Sequence, residues 1–310
     1  MDATLNDNML SANTSSQEMR LDQPETADPT GSIKISVITV VRNGREFIEQ
    51  TIGSVQSQLY QNLEYIVIDG GSTDGTVDVI KSRESGIAKW ISEKDKGIAD
   101  AFNKGITIAT GDYLLFLNSD DALANPNVLA EIAEKIAAHD FPALIYGDCD
   151  VLVRDSGEVL YRARIIYSPN GLLRGQMLPH PSLFTRRSYF EKYGIFDERF
   201  KFAMDYEWLL RGGLKERIVH IPLLVTNVRT GGISTRDQRR VESEIISALK
   251  KNGYIASGLA EFQLRGYFFA RFVIKVVLKT IGLYKMFTHF RNKRARPINS
   301  ELENKQQDSR

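Results

Sequence analysis

The segment Phe116-Leu-Asn-Ser-Asp-Asp121 closes an apolar run with two adjacent carboxylates. Such crowding of like charge is costly. A hard dication relieves it, because Mg²⁺ or Mn²⁺ takes oxygen ligands and often bridges a few carboxylates to substrate phosphates. A solvated turn or helix cap would use the same residue types. A second cluster, Asp69-Gly-Gly-Ser-Thr-Asp-Gly-Thr76, combines glycines that let backbone approach a ligand with an acid able to accept hydrogen bonds from a base or ribose. It serves equally as a strand-to-helix loop with Thr73 or Asp74 as N-cap. The Gly-Lys-Ser/Thr ending of a phosphate-binding loop is absent. In Met204-Asp-Tyr-Glu207, Asp205 is a candidate general base or an N-cap. His180, between Pro179 and Pro181, is a candidate contact to an acceptor or phosphate, or a buried, hydrogen-bonded histidine.

Something must hold these residues together. Ile33 to Val41 is a β-branched run that fits a strand buried on both faces, and Arg42-Asn43-Gly44 breaks it. Helical patterns follow at 45–59, 76–82, 97–109 and 127–138. Apolar strand-like runs alternate with them at 64–68, 88–91, 113–117 and 143–146. That alternation predicts a mainly parallel sheet flanked by helices. In such sheets ligands bind at the carboxyl ends of the strands. Arg42-Asn43, the Asp69 loop and Asn118 to Asp121 each follow a strand, so three segments are expected to meet in one crevice. Beyond Asp148 the pattern mixes a hairpin-like stretch (149–164), a Gly/Pro-rich loop (168–181), a helix at 206–212, a strand at 218–228 and helices at 241–252 and 264–284.

The chain has 310 residues, 42 % hydrophobic and 25 % charged, which suits a globular protein with a proper core. The single cysteine, Cys149, excludes an intrachain disulfide and a cysteine-built metal site. Residues 1–32 are polar and acidic, without the apolar stretch of a secretory signal, and are expected to be a disordered leader. No run of apolar residues is long enough for an ordinary transmembrane helix. Between Phe262 and Ser300 there are nine Lys or Arg and no Asp or Glu, against a net charge of +1 for the whole chain. The rest is therefore acidic and this region basic. Arg271, Lys275 and Lys279 recur every fourth residue, which predicts an amphipathic helix drawn to an anionic membrane surface. A helix packed on the body with solvated charges is the alternative. No nucleic-acid recognition motif accompanies the basic stretch.

Taken in order, several segments resemble glycosyltransferase family 2, the inverting enzymes of the GT-A fold. They are Val37 to Asn43, Gln56 to Thr76, Ser92-Glu-Lys-Asp-Lys-Gly-Ile-Ala-Asp-Ala-Phe-Asn-Lys-Gly105, Gly111 to Asp121, Gly194-Ile-Phe-Asp-Glu-Arg-Phe200 and Met204-Asp-Tyr-Glu-Trp-Leu-Leu-Arg211. The resemblance spans about Ile33 to Ser234. It implies the nucleotide-diphospho-sugar transferase fold, with a catalytic domain at 33–235, a basic helical region at 236–296 and a disordered tail at 297–310. It implies that Thr39 and Asp69 contact the nucleoside, Asp69 on the base, with Arg42, Asn43 and Asp95 near the nucleotide-sugar. Asp120 would bind metal and ribose as the last acid of the family's Asp-X-Asp element, with Asp121 as a further ligand to Mg²⁺ or Mn²⁺. Asp205 would deprotonate the acceptor hydroxyl. Asn118 stands where the first acid is usual, so one ligand charge is missing. The implied activity is hexosyl transfer from a nucleotide-sugar donor, a UDP-sugar by expectation, to a glycan or lipid-linked acceptor in surface-polysaccharide or glycolipid assembly. The expected location is the cytoplasm, peripheral at the inner face of the plasma membrane. A nucleotidyltransferase would need a Gly-rich, basic phosphate loop after the first strand, for which Arg42-Asn43-Gly44-Arg45 is a poor substitute. A non-catalytic homologue is the other alternative, and Asn118 is the feature that favours it.

Overall fold

The computed structural model describes residues 33–232, 237–256 and 258–283. The expected leader, the 235/236 domain boundary and the expected tail lie outside them. In chain order the elements are β1 (Ile35–Val41), α1 (Ile48–Gln56), β2 (Leu63–Asp69), α2 (Thr76–Ser82), β3 (Lys89–Ser92), α3 (Ile98–Ile108), β4 (Tyr113–Asn118), β5 (Ala122–Leu123) and α4 (Val128–Ala138). Then come β6 (Leu144–Leu152), β7 (Val159–Ala163), α5 (Pro169–Leu172), β8 (Leu183–Arg186), α6 (Arg187–Tyr193), α7 (Met204–Gly212), β9 (Ile218–Arg229), α8 (Gln238–Lys251) and α9 (Gly258–Thr280). A 3₁₀ turn, His180–Ser182, leads into β8.

Among the described residues all nine strands join one sheet in the order β3-β2-β1-β4-β8-β6-β9-β5, with β7 paired to β6. The first four are parallel neighbours, as expected. The second half is mixed: β8 lies antiparallel between β4 and β6, while β6 and β9 pair in parallel. A parallel neighbour needs a long crossover, usually a helix. β8 arrives from a loop with only one short helix behind it, and runs against its neighbours. The α/β class and the C-terminal helices are as the sequence predicts.

Strand β1 shows why the sheet is buried on both sides. Side chains alternate across a strand. Ile35, Val37 and Val41 pack into one apolar cluster with Ile48, Ile52 and Val55 of α1 and Leu129, Ile132 and Ile136 of α4. Ile38 and Val40 pack into the other with Phe102 of α3, Trp208 and Leu209 of α7 and Ile245 of α8. The β-branched run is therefore a central strand, and its carboxyl end is free to present loops.

Below the site, Glu64 on β2 ties the opposite end of the sheet. It accepts from Ser36 Oγ at 2.6 Å and from the Thr110 amide at 2.6 Å and hydroxyl at 2.8 Å. Burial raises its pKa, but these hydrogen bonds and the charge of Lys34 prevail and lower it to about 2. A charged group this well satisfied belongs to the frame, not to the chemistry.

Candidate active site

Four parallel strands end on the same edge, and the loops they release are laced to one another. After β1, the Asn43 amide donates to Ser72 Oγ at 2.7 Å, and Asn43 Oδ1 accepts from the Thr73 amide at 2.9 Å. The Gly44 amide donates to Thr76 Oγ1 at 3.0 Å and the Arg45 amide to Asp74 at 3.1 Å. Asn43 holds φ 52°, a left-handed turn that Asn tolerates better than most residues. Asn43 is thus a clamp between loops, and its amide oxygen is already engaged.

Asp69, the last residue of β2, is wholly buried. Its Oδ2 accepts from Ser92 Oγ at 2.7 Å and from the Gly71 and Ser72 amides at 3.1 and 3.0 Å. Its Oδ1 is buried with no partner. Buried polar atoms are nearly always hydrogen-bonded, so an orphaned acceptor at a sheet's ligand-binding edge marks a place for a donor from outside. Asp95 lies next to it. A Cβ on Gly70 would come within 2.0 Å of Asp95 Oδ2, so glycine lets the Asp95 carboxylate rest against this loop. Arg42, more than half exposed, reaches Asp95 with Nη1 3.9 Å from Oδ1.

At the end of β4 the two acids part company. Thr51 Oγ1 on α1 donates to the carbonyls of Ser119 and Asp121, at 2.9 and 2.7 Å, and so pins the turn. Asp121 points inward: Asn118 Nδ2 donates to its Oδ2 at 2.8 Å, and the Arg229 amide donates to its Oδ1 at 3.2 Å. Burial, and then the charge of Asp120, push its pKa up to about 7 against these bonds. Asp120 is partly exposed and pairs with Arg154, Nη1 to Oδ2 at 2.7 Å. Arg154 and Arg229 stack on the ring of Phe47, 4.7 and 4.4 Å from its centroid. Among the described residues no three His, Cys, Asp or Glu side chains gather as a ready-made metal cage. The protein offers one carboxylate facing outward, Asp120, which fits a dication whose remaining ligands come from a substrate diphosphate.

Thr39 is not brought to this edge. It sits in mid-strand, fully buried, and its hydroxyl accepts from Tyr65 at 3.2 Å. On that evidence it is a core residue.

His180 and Asp205 form the second side. The His180 ring stacks on Phe116 of β4, centroids 5.1 Å apart and planes 9° from parallel, with Phe102 and Phe196 edge-on at 5.8 Å each. Its Nε2 is buried and without a partner. Asp205 opens α7, where its Oδ1 accepts from the Tyr206 amide at 2.8 Å. Burial raises the pKa of Asp205 and lowers that of His180, and each opposes the other's shift, as neighbouring acid and base do. The loop before α7 meets the Asp95 loop, Lys201 Nζ donating to the Lys96 carbonyl at 3.5 Å. Glu207, by contrast, faces away into the core, held by Arg211, Lys251 at 2.8 Å and Asn252 at 3.2 Å.

The structure thus joins Arg42, Asn43, Asp69, Asp95 and Asp120 along one edge and sets His180 with Asp205 beside it. Arg154, Arg229 and Phe47 were not singled out from the sequence. Arg229 follows the predicted strand at 218–228 and was within reach of the strand-end rule; Arg154 carries no comparable signal.

Comparison with known proteins gives the family and agrees with the fold. The family model "Glycosyl transferase family 2" matches residues 36–203. An uncharacterized glycosyltransferase of Mycobacterium tuberculosis is 35 % identical over 227 residues, 72 % of this chain and 84 % of the relative. A PGL/p-HBAD biosynthesis glycosyltransferase of Mycobacterium bovis is 29 % identical over 206 residues, 64 % of this chain and 78 % of the relative. Among solved structures, S. aureus TarS 1-349 in complex with UDP-GlcNAc aligns with a TM-score of 0.56 at 17 % identity, over 70 % of this chain and 66 % of that one. The mannosyltransferase PcManGT from Pyrobaculum calidifontis, in complex with GDP-Man and Mn²⁺, aligns with a TM-score of 0.51 at 18 % identity, over 88 % and 91 %. At such identities the two structures speak for the fold, while the family match covers more than half of the chain: it belongs to glycosyl transferase family 2.

Proposed function

We propose that this glycosyltransferase moves a hexose, with inversion, from a UDP-sugar to a hydroxyl of a glycan or lipid-linked acceptor in surface-polysaccharide or glycolipid assembly. The observation that carries the donor assignment is the unpartnered Asp69 Oδ1. A carboxylate oxygen only accepts, so it calls for a donor from outside, and the ring N–H at uracil's pairing edge supplies one. Arg42 and Asp95 flank the nucleotide, and Asp120 meets the diphosphate and its dication, Mg²⁺ or Mn²⁺. Asp121 supports this turn from inside. When bound, the dication supplies Lewis-acid stabilisation of the charge that gathers on the departing diphosphate. Asp205 then acts from the other side, taking the proton of the attacking hydroxyl, which His180 helps to place. Attack and departure on opposite faces invert the anomeric centre, as in single-displacement glycosidases. The names of the mycobacterial relatives support a glycolipid or polysaccharide setting, and the basic C-terminal helix supports an anionic surface as the place of work.

Thermal melting with UDP, GDP, dTDP and ADP, each with and without Mn²⁺, tests the donor site. A ligand at 100 times its Kd stabilises by about 2.7 kcal/mol. A Mn²⁺-dependent rise with UDP is the expected result; no rise with any nucleotide overturns the reading.

A further inference from the structure

Helix α9 is seated on the body by its first half, where its buried residues lie. Leu264 and Phe268 are its buried residues. Beyond them Phe269, Phe272, Val273, Ile274, Val276 and Val277 are 40–68 % exposed. Leu264, Phe268, Arg271, Lys275 and Lys279 are spaced four, three, four and four apart, so on a helix they share one stripe about 80° wide. The side that packs on the body therefore turns cationic where the body ends. Phe262, Phe269, Val273, Val276, Val277 and Ile281 occupy the opposite side, and all are exposed. Glu261 is the last acid before Glu301, and it is already paired with Arg265 at 2.8 Å and with Lys250. No helix among the described residues is long and apolar enough to cross a membrane.

We infer that α9 docks in the plane of an anionic lipid bilayer. Its outer side enters the acyl boundary, and Arg271, Lys275 and Lys279 stand at the headgroups, with the catalytic body resting above them. The distribution of charge selects this occupant. An in-plane helix wants hydrocarbon on one side and cations, unopposed by acids, on the other. An apolar surface this continuous marks an interaction site, and the charged residues beside it beyond Glu261 are all basic. Phe268 also approaches Gly175, where an added Cβ would stand 3.1 Å from the ring, in the loop that runs from α5 to His180. Docking thus brings the His180 and Asp205 side of the cleft close to the headgroups. This consequence rests on the transferase reading and identifies the acceptor as a lipid-linked hydroxyl; the docking itself does not depend on it.

Co-sedimentation of the full chain with vesicles of phosphatidylcholine, alone or mixed with phosphatidylglycerol, is the test. Binding is expected to the mixed vesicles only and to weaken with salt. Arg271→Glu/Lys275→Glu/Lys279→Glu should lower it by roughly a hundred-fold or more, at about five-fold for each basic residue removed. Val273→Glu/Val277→Glu, both in the exposed half, should abolish it while leaving the nucleotide-dependent melting shift unchanged. That shift keeps failure of docking distinct from failure of the donor site. Equal binding to both vesicles, binding to neither, or a self-associated state dissolved by Val273→Glu/Val277→Glu would each overturn the inference.

Discussion

Burial moves the pKa values of Asp205 and His180 in opposite directions. In its proposed role of base Asp205 must be ionised, and its pKa lies above the ordinary carboxylate value. Transfer should therefore fall as pH drops through a range above about 4, the usual Asp value, rather than through it. His180→Phe keeps the stack on Phe116 but removes the neighbour that lowers the pKa of Asp205. The acidic limb of kcat/KM should move to higher pH and the acceptor KM should rise, which a pH-rate series would register. The same shift has a sign for stability. The contribution of protonated Asp205 is full below the unfolded pKa and is lost as pH rises through the folded one. Asp205→Asn should abolish transfer and leave nucleotide affinity nearly intact; a large affinity loss would remove Asp205 from the role of base. Asp69→Asn tests the other side. The amide oxygen can still serve the three loop donors, but an N–H then stands where Oδ1 accepted. Calorimetric affinity for UDP should fall by about 1–3 kcal/mol, with little change in melting.

At the scale of elements, close approach is what fixes the site. Gly70→Ala would drive a Cβ to within 2.0 Å of Asp95 Oδ2 and push that side chain from the donor edge. Gly147 lies where the β6–β9 register shifts, and a Cβ there would meet the Leu223 carbonyl at 2.5 Å. Backbone cannot yield as a flexible side chain can, so Gly147→Ala should cost about 1–3 kcal/mol in chemical denaturation. Such tolerances are invisible in a sequence, yet most elements were legible in it. The helix at Thr76–Ser82 and the strand end at Val41 were plain, and the ends of β2 and β4 were read one residue short of Asp69 and Asn118, because apolar runs give way to glycine and polar residues there. β5, β8 and α6 were not. β5 is two residues long, and Leu183–Arg186 passes into Arg187–Tyr193 without a break signal. α5 did leave one, Ser168 capping a helix with proline in its first turn, its Oγ accepting from the Gly171 amide at 3.0 Å. The pairing of Asp120 with Arg154 joins the turns that follow β4 and β6, so no local spacing records it. Thr39 was placed at the nucleoside by resemblance, and the fold sets it two residues inside the strand end.

For the molecule as a whole, two apolar layers clamp one sheet, and the layer beneath the acceptor side is centred on Trp208. That ring is fully buried, stacks on Phe190 at 4.8 Å and donates to the Gly194 carbonyl at 3.2 Å. Trp208→Ala should cost about 3–5 kcal/mol in urea unfolding. Trp208→Phe should cost less, because it keeps part of the stack. The residues proposed for the donor lie between Arg42 and Asp121, where hydrogen bonds lace neighbouring loops, and Arg154 and Arg229 join them from beyond β6 and from the end of β9. His180 and Asp205 come from a later stretch, between β7 and β9. On the proposed reading, a lineage can therefore rewrite that stretch, trading one acceptor for another, while the loops between Arg42 and Asp121 are inherited unchanged.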